Sequence, residues 1–525
     1  MSGSSQAHSL AEKVIGKKRP VELSDSSTPP HSPEGSPSVN NSDGVNPLCL
    51  SPPLESFGDR LAKRKSLYNP NPQLRSAPQD ATQGTAGDRL VLVMVGLPAR
   101  GKTYIANRVA RYLRFFHGAP AKVFNVGNYR RQISGAKCSA AFFDPNNKEA
   151  TGAREQAAKR AMQDLKGWLT ESNDKGRVAI FDATNTTNRR RKWIIDELLG
   201  IMESRSHIIF LESVCSDENI INENIRAVKL NMPDYEGVDK EQAAQDFRNR
   251  IDKYKSIYEP ITDTSMSYIR LVDAGRQCVM NNIKGFLAGR IMNFLMNLHF
   301  HPRPIYLSRH GQSQYNKLGK IGGDSALSEA GEEYAVGLAK YAKEHILVDN
   351  IEGIKGNCQH ARLFTSSLRR TQLTARHISH DKLDDGWIVM RPKVLRNLDE
   401  IYAGIFDGYT YKEIKEIAPD EFKARSANKL TYRYPRGESY LDVIDRLVPV
   451  IQEVERTQDP ILIVGHQGIL RIIYAYFMDM PREKAPFVKI PLNTVIKLIP
   501  EAYGCQEERI CLIPMEDKEK NVQSH

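Results

Sequence analysis

Arg89-Leu90-Val91-Leu92-Val93-Met94-Val95 runs directly into Gly96-Leu97-Pro98-Ala99-Arg100-Gly101-Lys102-Thr103, and this junction decides how the chain folds. The first seven residues form a short apolar run rich in β-branched side chains, with no polar alternation. A strand of that kind is buried on both faces, as in a parallel sheet. The next eight match GxxxxGK[ST] between a predicted strand and a predicted helix, the context a phosphate-binding loop requires. Its glycines let backbone N–H groups wrap phosphates, and the helix N-terminus adds a favourable dipole. Lys102 can reach the β- and γ-phosphates, and the Thr103 hydroxyl suits Mg²⁺. The loop signals nucleotide binding; ATPases, GTPases and kinases all share it.

Outward from the loop, strands at 122–126, 177–182 and 207–214 alternate with helical patterns at 103–116, 151–169 and 217–230. The alternation predicts an α/β domain, a parallel sheet with helices on both faces. The stretch 283–299 reads as a closing helix. Asp182 ends a strand, where a P-loop protein places the carboxylate linked to its metal; a lone strand-end Asp elsewhere is usually a turn or cap residue. Arg130, Arg131, Arg154 and Arg189 to Arg191 are, one by one, ordinary surface residues. As a set they suggest an anionic co-substrate.

The chain has 525 residues, more than one core usually serves. Residues 1–86 are rich in Ser and Pro and lack apolar periodicity, so they read as a disordered regulatory tail. Domains are expected at 87–303 and 304–514, with a polar tail at 515–525. The N-terminal tail carries Thr28-Pro29, Ser32-Pro33, Ser36-Pro37 and Ser51-Pro52, and a basic run, Lys63 to Lys65, before Ser66. These mark it as a target for protein kinases, and phosphorylation of Ser66 is expected to shift the balance of activities. Seven scattered cysteines form no CxxC pair, which excludes a disulfide framework and a zinc site. No signal-peptide pattern or membrane-length apolar run occurs, so a cytoplasmic location is expected. The net charge of +11 fits phosphorylated substrates better than nucleic acid, because the arginines fall inside phosphate-type motifs rather than along one stripe.

A second α/β unit starts near Arg303, with strands at 304–310, 362–367 and 460–466. Three of its strand ends carry chemistry. Arg309-His310-Gly311 offers an imidazole beside a positive charge, Thr365 to Thr371 supplies Arg370, and Gly465-His466-Gln467 adds a second histidine. Phosphoryl transfer to imidazole needs a neutral ring nitrogen in line and cations around the transferred group. Glu400, in Leu398-Asp399-Glu400-Ile401, suits a general acid for the leaving oxygen.

Taken together, these motifs resemble the 6-phosphofructo-2-kinase/fructose-2,6-bisphosphatase family, over roughly Arg89 to Pro514. The first half carries GLPARGKTYIA (96–106), KVFNVGNYRR (122–131), FDATNTT (181–187), VKLNMPDY (228–235) and RIDKYKSIYEP (250–260). The second carries RHGQS (309–313), KIGGDSALS (320–328), NLDEIYAG (397–404), YPRGESY (434–440) and GHQGILR (465–471). The resemblance implies a P-loop kinase followed by a phosphoglycerate-mutase-like histidine phosphatase. Such an enzyme makes and hydrolyses fructose 2,6-bisphosphate and so controls glycolysis against gluconeogenesis. ATP and Mg²⁺ would sit on Gly96, Leu97, Pro98, Ala99, Arg100, Gly101, Lys102 and Thr103, with Asp182 near the metal and Asn224 to Lys229 on the nucleotide. Lys229 would join Lys102 at the transferring phosphoryl. Fructose 6-phosphate would be held by Arg130, Arg154, Thr184, Arg190, Arg250 and Tyr254. Cys215 matches a family cysteine near this site, and a buried structural role accounts for it equally well. In the second half, His310 would be the nucleophile and Glu400 the acid and base, with His466, Arg309 and Arg370 around the phosphoryl group. Asn316, Gly322, Tyr411, Arg425, Lys429, Tyr440, Gln467 and Arg471 would hold the sugar bisphosphate. A homodimer is also implied.

Gln312 departs from the family's usual glutamate and removes a carboxylate close to His310. With His310, Glu400 and His466 all present, a working phosphatase is expected. Three alternatives have the same starting point: a kinase whose second domain only senses a phosphosugar, a nucleic-acid-binding P-loop protein, and a polynucleotide kinase fused to a phosphatase.

Overall fold

The computed structural model describes residues 89–136, 138–171, 176–202, 204–226, 233–299, 303–347, 360–382, 386–501 and 504–514. Ser66 and the Ser-Pro sites, Lys229, Cys49, Cys358 and the C-terminal tail lie outside these residues.

The sequence from Leu90 builds a six-stranded sheet in the order β2-β3-β1-β4-β5-β6. Its strands are β1 (Leu90–Val95), β2 (Ala121–Asn125), β3 (Val178–Asp182), β4 (Ile208–Val214), β5 (Ser267–Val272) and β6 (Gln277–Asn281). The first five are parallel and β6 pairs antiparallel to β5. All six residues of β1 are buried, as its unbroken apolar run requires. β1 sits where the strand order reverses, the crevice in which open α/β sheets bind ligands. β5 alternates buried and half-buried residues, a period-2 pattern that the sequence reading did not assign. The helix expected over 217–230 is Glu218–Asn224 among the described residues, and the closing helix is Phe286–Met296.

The second sheet has the order β12-β11-β7-β10-β8-β9. Here β7 (Ile305–Arg309), β8 (Arg362–Thr365), β9 (Arg391–Val394) and β10 (Ile461–Gly465) are parallel. Strand β11 (Thr494–Glu501) pairs antiparallel with β7 and, on its other edge, antiparallel with β12 (Gly504–Cys511). The register Gly465↔Arg309 and Val464↔Thr365 brings three strand ends into one row. His310, Ser366 and His466 follow those ends.

One apolar core joins the halves. Helix α1 (Lys102–Phe116) follows the phosphate loop, α2 (Phe286–Met296) closes the first sheet, and α3 (Tyr440–Arg456) and α4 (Gln467–Phe477) belong to the second. Tyr112 stacks on Phe294 at 4.4 Å, and Phe116 meets Tyr476 edge-on at 5.0 Å. Inside this junction Glu455 is 1% exposed, and it accepts from Arg108 at 2.8 Å and from the Tyr476 hydroxyl at 3.0 Å. Arg111 lies 4.0 Å from the same carboxylate. Burial pushes this carboxyl up, but Arg108, Arg303 and Arg111 outweigh it and hold it below the usual range. Replacing Glu455 with alanine leaves these arginines without their counter-ion in a dry interface. The expected loss is about 3–5 kcal/mol, measured as a lower denaturant midpoint. An unchanged midpoint would show that the arginines find other partners.

Candidate active sites

β1 delivers the phosphate loop to the crevice, and its neighbours fix its shape. Gly96 has φ 134°, and a Cβ there would lie 2.4 Å from the Ser213 carbonyl oxygen, so the turn needs glycine. The Ser213 hydroxyl donates to the Arg100 carbonyl at 2.5 Å, and Asn224 Nδ2 donates to the Ala99 carbonyl at 3.2 Å. Lys102 is buried, and its Nζ donates to the Leu97 carbonyl at 2.6 Å. Asp182, buried at the end of β3, accepts from Asn125 Nδ2. Thr184 follows, and its carbonyl accepts from Gly96 N at 2.9 Å.

A cluster of arginines forms nearby around a residue to which the sequence reading gave no role. Asp234 is buried and takes two hydrogen bonds from Arg130 Nη2, at 2.6 and 2.9 Å. Arg131 lies 3.4 Å and Arg250 3.9 Å from the same carboxylate. The Arg250 guanidinium covers the Phe143 ring at 3.6 Å, and Tyr254 flanks that ring at 6.0 Å. Asp234 lies in the quoted VKLNMPDY stretch, yet nothing local marks it as the counter-ion of three arginines. Arg154 is tied to the segment that carries Phe143: it donates to the Phe142 and Asp144 carbonyls and to Thr151. Arg190 lies over the Trp193 ring at 4.4 Å. Cys215 packs with Ala99, Ile221, Tyr235 and Phe247, and burial pushes its thiol up. It is therefore a protonated thiol in an apolar setting, which suits packing better than chemistry.

In the second half, strand register assembles the site. His310 is 4% exposed, and its backbone N donates to the Gly465 carbonyl at 3.0 Å. Its Nδ1 lies 2.8 Å from the Gly311 carbonyl oxygen. A carbonyl only accepts, so Nδ1 carries the proton and Nε2 keeps the lone pair. Burial, then Arg370 and Arg309, hold this imidazole well below its ordinary value, so it is neutral at pH 7. His466 is fully buried and is likewise held well below its ordinary value, by burial, Arg370 and His310 in turn. Its Nδ1 accepts from Arg370 Nε at 3.1 Å, and its Nε2 meets the Ser366 hydroxyl at 2.7 Å. Both ring nitrogens are thus engaged by the protein, and His466 stands behind Arg370.

Glu400 sits at the start of α4. Its Oε1 accepts from Gly468 N at 3.1 Å and from Ile401 N at 3.0 Å. A Cβ on residue 468 would come 2.6 Å from Oε1, so the carboxylate approaches this closely because glycine is there. Gln312 accepts at Oε1 from the Ser328 hydroxyl at 2.8 Å.

These groups line a cavity of 340 Å³. Arg309, His310, Arg370 and Glu400 lie on its walls, together with Asn316, Gly322, Tyr411, Arg425, Lys429, Tyr440, Gln467 and Arg471. Lys317 and Lys320 also line it, and the sequence reading gave neither a role. Arg425 donates to the hydroxyls of Tyr434 and Tyr411 at 2.8 and 2.7 Å, and Arg471 to Tyr440 at 3.2 Å. Burial, then Arg425 and Arg471, bring Lys429 down to about 8. Among the described residues no group of three or more metal-ligating side chains occurs, and no helix is long and apolar enough to cross a membrane.

The depressed lysine carries a pH prediction. Lys429 sheds its proton near pH 8 in the free protein, whereas a phosphomonoester is already fully ionised there, its second pKa being about 6. The kcat/KM for a dianionic phosphate ester should therefore fall about ten- to a hundredfold as pH rises past 8, the worth of one charge-assisted contact. Lys429→Arg should abolish that decline. A decline that persists in Lys429→Arg would assign it to another group.

The two sheets and their strand-end sites define a class: a P-loop phosphotransferase followed, in one chain, by a histidine phosphatase. The family description "6-phosphofructo-2-kinase" matches residues 78–302, and "Histidine phosphatase superfamily (branch 1)" matches residues 305–512. The chain is 45% identical over 424 residues to the 6-phosphofructo-2-kinase/fructose-2,6-bisphosphatase of Caenorhabditis elegans, covering 79% of this chain and 87% of that one. It is 45% identical over 445 residues to the Arabidopsis thaliana protein of the same name, covering 83% of this chain and 56% of that one. Among solved structures, the α-ribazole phosphatase from Shigella flexneri is 21% identical with a TM-score of 0.33, over 41% of this chain and all of that one. The chain belongs to the 6-phosphofructo-2-kinase/fructose-2,6-bisphosphatase family.

Proposed function

We propose that this chain makes fructose 2,6-bisphosphate from fructose 6-phosphate and ATP in residues 87–303, and hydrolyses it in residues 304–514. The observation that carries the reading is a neutral histidine, its Nδ1 proton tied to a carbonyl, in a cation-lined cavity on the same chain as a phosphate loop.

In the first half the backbone of Gly96 to Thr103 cradles the ATP phosphates, with Lys102 and Lys229 at the transferring group. The Thr103 hydroxyl and the Asp182 carboxylate are hard oxygen donors, a fit for Mg²⁺. The ion, when bound, offsets phosphate charge. Arg130 and Arg250 bind the 6-phosphate of the sugar, with Thr184, Arg154, Arg190 and Tyr254 around the ring. Asp234 keeps the arginines extended and side by side. The sugar 2-hydroxyl attacks the γ-phosphorus while the bond to the β-phosphate oxygen breaks; ADP leaves, and the hydroxyl proton passes to an oxygen of the transferred phosphoryl group. A loose transition state needs little help from a base, so positioning and charge carry the step.

In the second half Nε2 of His310 attacks the 2-phosphorus between Arg309 and Arg370. Glu400 gives its proton to the departing sugar oxygen, and fructose 6-phosphate leaves. Glu400 then takes a proton from water, the water oxygen bonds to phosphorus, and the bond to Nε2 breaks. His466 acts through Arg370. Arg425, Lys429 and Arg471 hold the 6-phosphate, with Asn316, Gly322, Tyr411, Tyr440 and Gln467 on the sugar.

Substrate labelled in the 2-phosphate should leave an acid-labile, base-stable phosphoryl group on His310 after rapid quenching. Absence of that label during turnover would sink the phosphohistidine route. If hydrolysis itself is missing while synthesis is present, the second domain is a phosphosugar sensor. Transfer from ATP to nucleic-acid 5′-ends in preference to fructose 6-phosphate would point to a polynucleotide kinase.

A homodimer and a cytoplasmic location belong to this proposal, as does regulation by protein kinases. The basic run before Ser66 motivates an altered ratio of synthesis to hydrolysis in Ser66→Glu; equal ratios in variant and wild type would dismiss it.

A further inference from the structure

The loop after β3 is fastened to the strand that carries the phosphate loop. Two hydrogen bonds make the crossing: Gly96 N to the Thr184 carbonyl at 2.9 Å, and Asn185 Nδ2 to the Met94 carbonyl at 2.8 Å. Asn185 is 3% exposed and adopts φ 44°, a left-handed conformation that Asn tolerates and most residues avoid. Its own carbonyl accepts from Arg191 Nη1 at 3.0 Å. Arg191 is fully buried and also donates to the Glu259 carbonyl at 2.8 Å. The next carbonyl, of Thr186, accepts from Glu259 N at 2.9 Å. Asn185 thus stands between a braced scaffold and β1, three residues after Asp182 and one after Thr184. Its Oδ1 is buried with no hydrogen-bond partner in the protein.

We infer that Asn185 is a positioning residue of the kinase, fixing the loop that carries Thr184 and Asp182 against the end of β1 so that the phosphoryl donor and acceptor keep their relative placement. The inference rests on the proposed reading of these two loops. The nucleotide is gripped by the backbone of residues 96–103, and the sugar phosphate by the arginines around Asp234. Neither phosphate grip includes a hydrogen bond to Asn185, whose partners are Met94 and Arg191. The in-line approach between the two ligands does need Asn185, because misplacement by about 1 Å costs about a hundredfold in rate. Asn185 therefore acts on kcat and leaves both KM values nearly unchanged.

The test uses the full-length protein with Asn185→Asp, which keeps the shape but replaces the donor by a carboxylate facing the Met94 carbonyl. A second variant, Asn185→Gly, keeps φ free of strain and deletes the tie. Lys102→Met is run alongside, and hydrolysis by each variant reports whether the protein is folded. Both Asn185 variants should lose about ten- to a hundredfold in kcat for synthesis. Their KM values for ATP and fructose 6-phosphate should stay within about threefold, and hydrolysis should be retained. Wild-type kcat in Asn185→Gly overturns the inference. So does a rise in KM at constant kcat, which makes Asn185 a binding residue, or parallel loss of both activities, which makes it a folding residue. Synthesis that survives Lys102→Met overturns instead the reading of the phosphate loop on which the inference rests.

Discussion

His310→Ala is expected to lower hydrolysis of fructose 2,6-bisphosphate at least about a thousandfold while leaving synthesis within about twofold of wild type. The substitution removes the nitrogen that forms the intermediate. Water must then attack phosphorus directly, with only the charges of Arg309 and Arg370 to help. Residual activity comes from that electrostatic environment, as when a nucleophile is deleted from any preorganised site. The neutral state of the ring adds a second expectation. Burial and two arginines hold His310 well below its ordinary value, so its titration should not limit hydrolysis near pH 7. The measurement is the steady-state rate of inorganic phosphate release together with the acid-labile label. Persistence of hydrolysis in His310→Ala at more than about a tenth of the wild-type rate would remove His310 from the mechanism.

Lys102→Met should reduce synthesis at least about a hundredfold, the scale of losing one charged donor aimed at a developing phosphoryl charge. Methionine nearly matches the lysine stem in length, so the packing at the start of α1 survives. The loop keeps its shape for reasons that do not involve the ammonium group. Gly96 backs onto Ser213, the Ser213 hydroxyl holds Arg100, and Asn224 holds Ala99. Hydrolysis should be untouched, because His310 and Glu400 are reached from the other sheet. The readout is the initial rate of ATP-dependent fructose 2,6-bisphosphate formation, with phosphate release as the internal control. Loss of both activities would mean that the halves fail together through the core they share.

Much of the architecture was legible because its causes are local. The run Leu90 to Val95 reads as a strand buried on both faces, and it is one. Strands β5, β6 and β9 and the hairpin β11–β12 went unassigned. β5 alternates at period 2, β6 is half-buried to exposed, and β9 and β12 are largely exposed and carry little hydrophobic signal. The helix expected over 217–230 begins at Glu218, with Asp217 as its N-cap, and residues 227–230 of that expectation lie outside the described residues.

The candidate sites divide along the same line. The phosphate loop works through its own backbone, so eight consecutive residues announce it. Asp182 and His310 announce themselves by standing at strand ends. The partners of these residues are another matter. Arg130 and Asp234 are 104 residues apart, and Ser366 and His466 are 100 apart. Asn185 looks like any loop asparagine until the Met94 carbonyl is found beneath it. The placement of His466 behind Arg370, the approach of Glu400 to Gly468 and the depressed Lys429 likewise arise from neighbours brought in by folding.

The sequence by itself determined that two α/β units follow one another, each with a phosphate-handling motif at a strand end. Hydrophobic period and loop backbone chemistry act over a few residues, and both are written in the chain. Only the tertiary structure decided which carboxylate neutralises which arginines, which imidazole nitrogen keeps its lone pair, and that one apolar core carries Glu455 between the halves. Those outcomes depend on desolvation and on hydrogen bonds between residues distant in sequence, and neither exists until parallel strands set their register and bury the groups together.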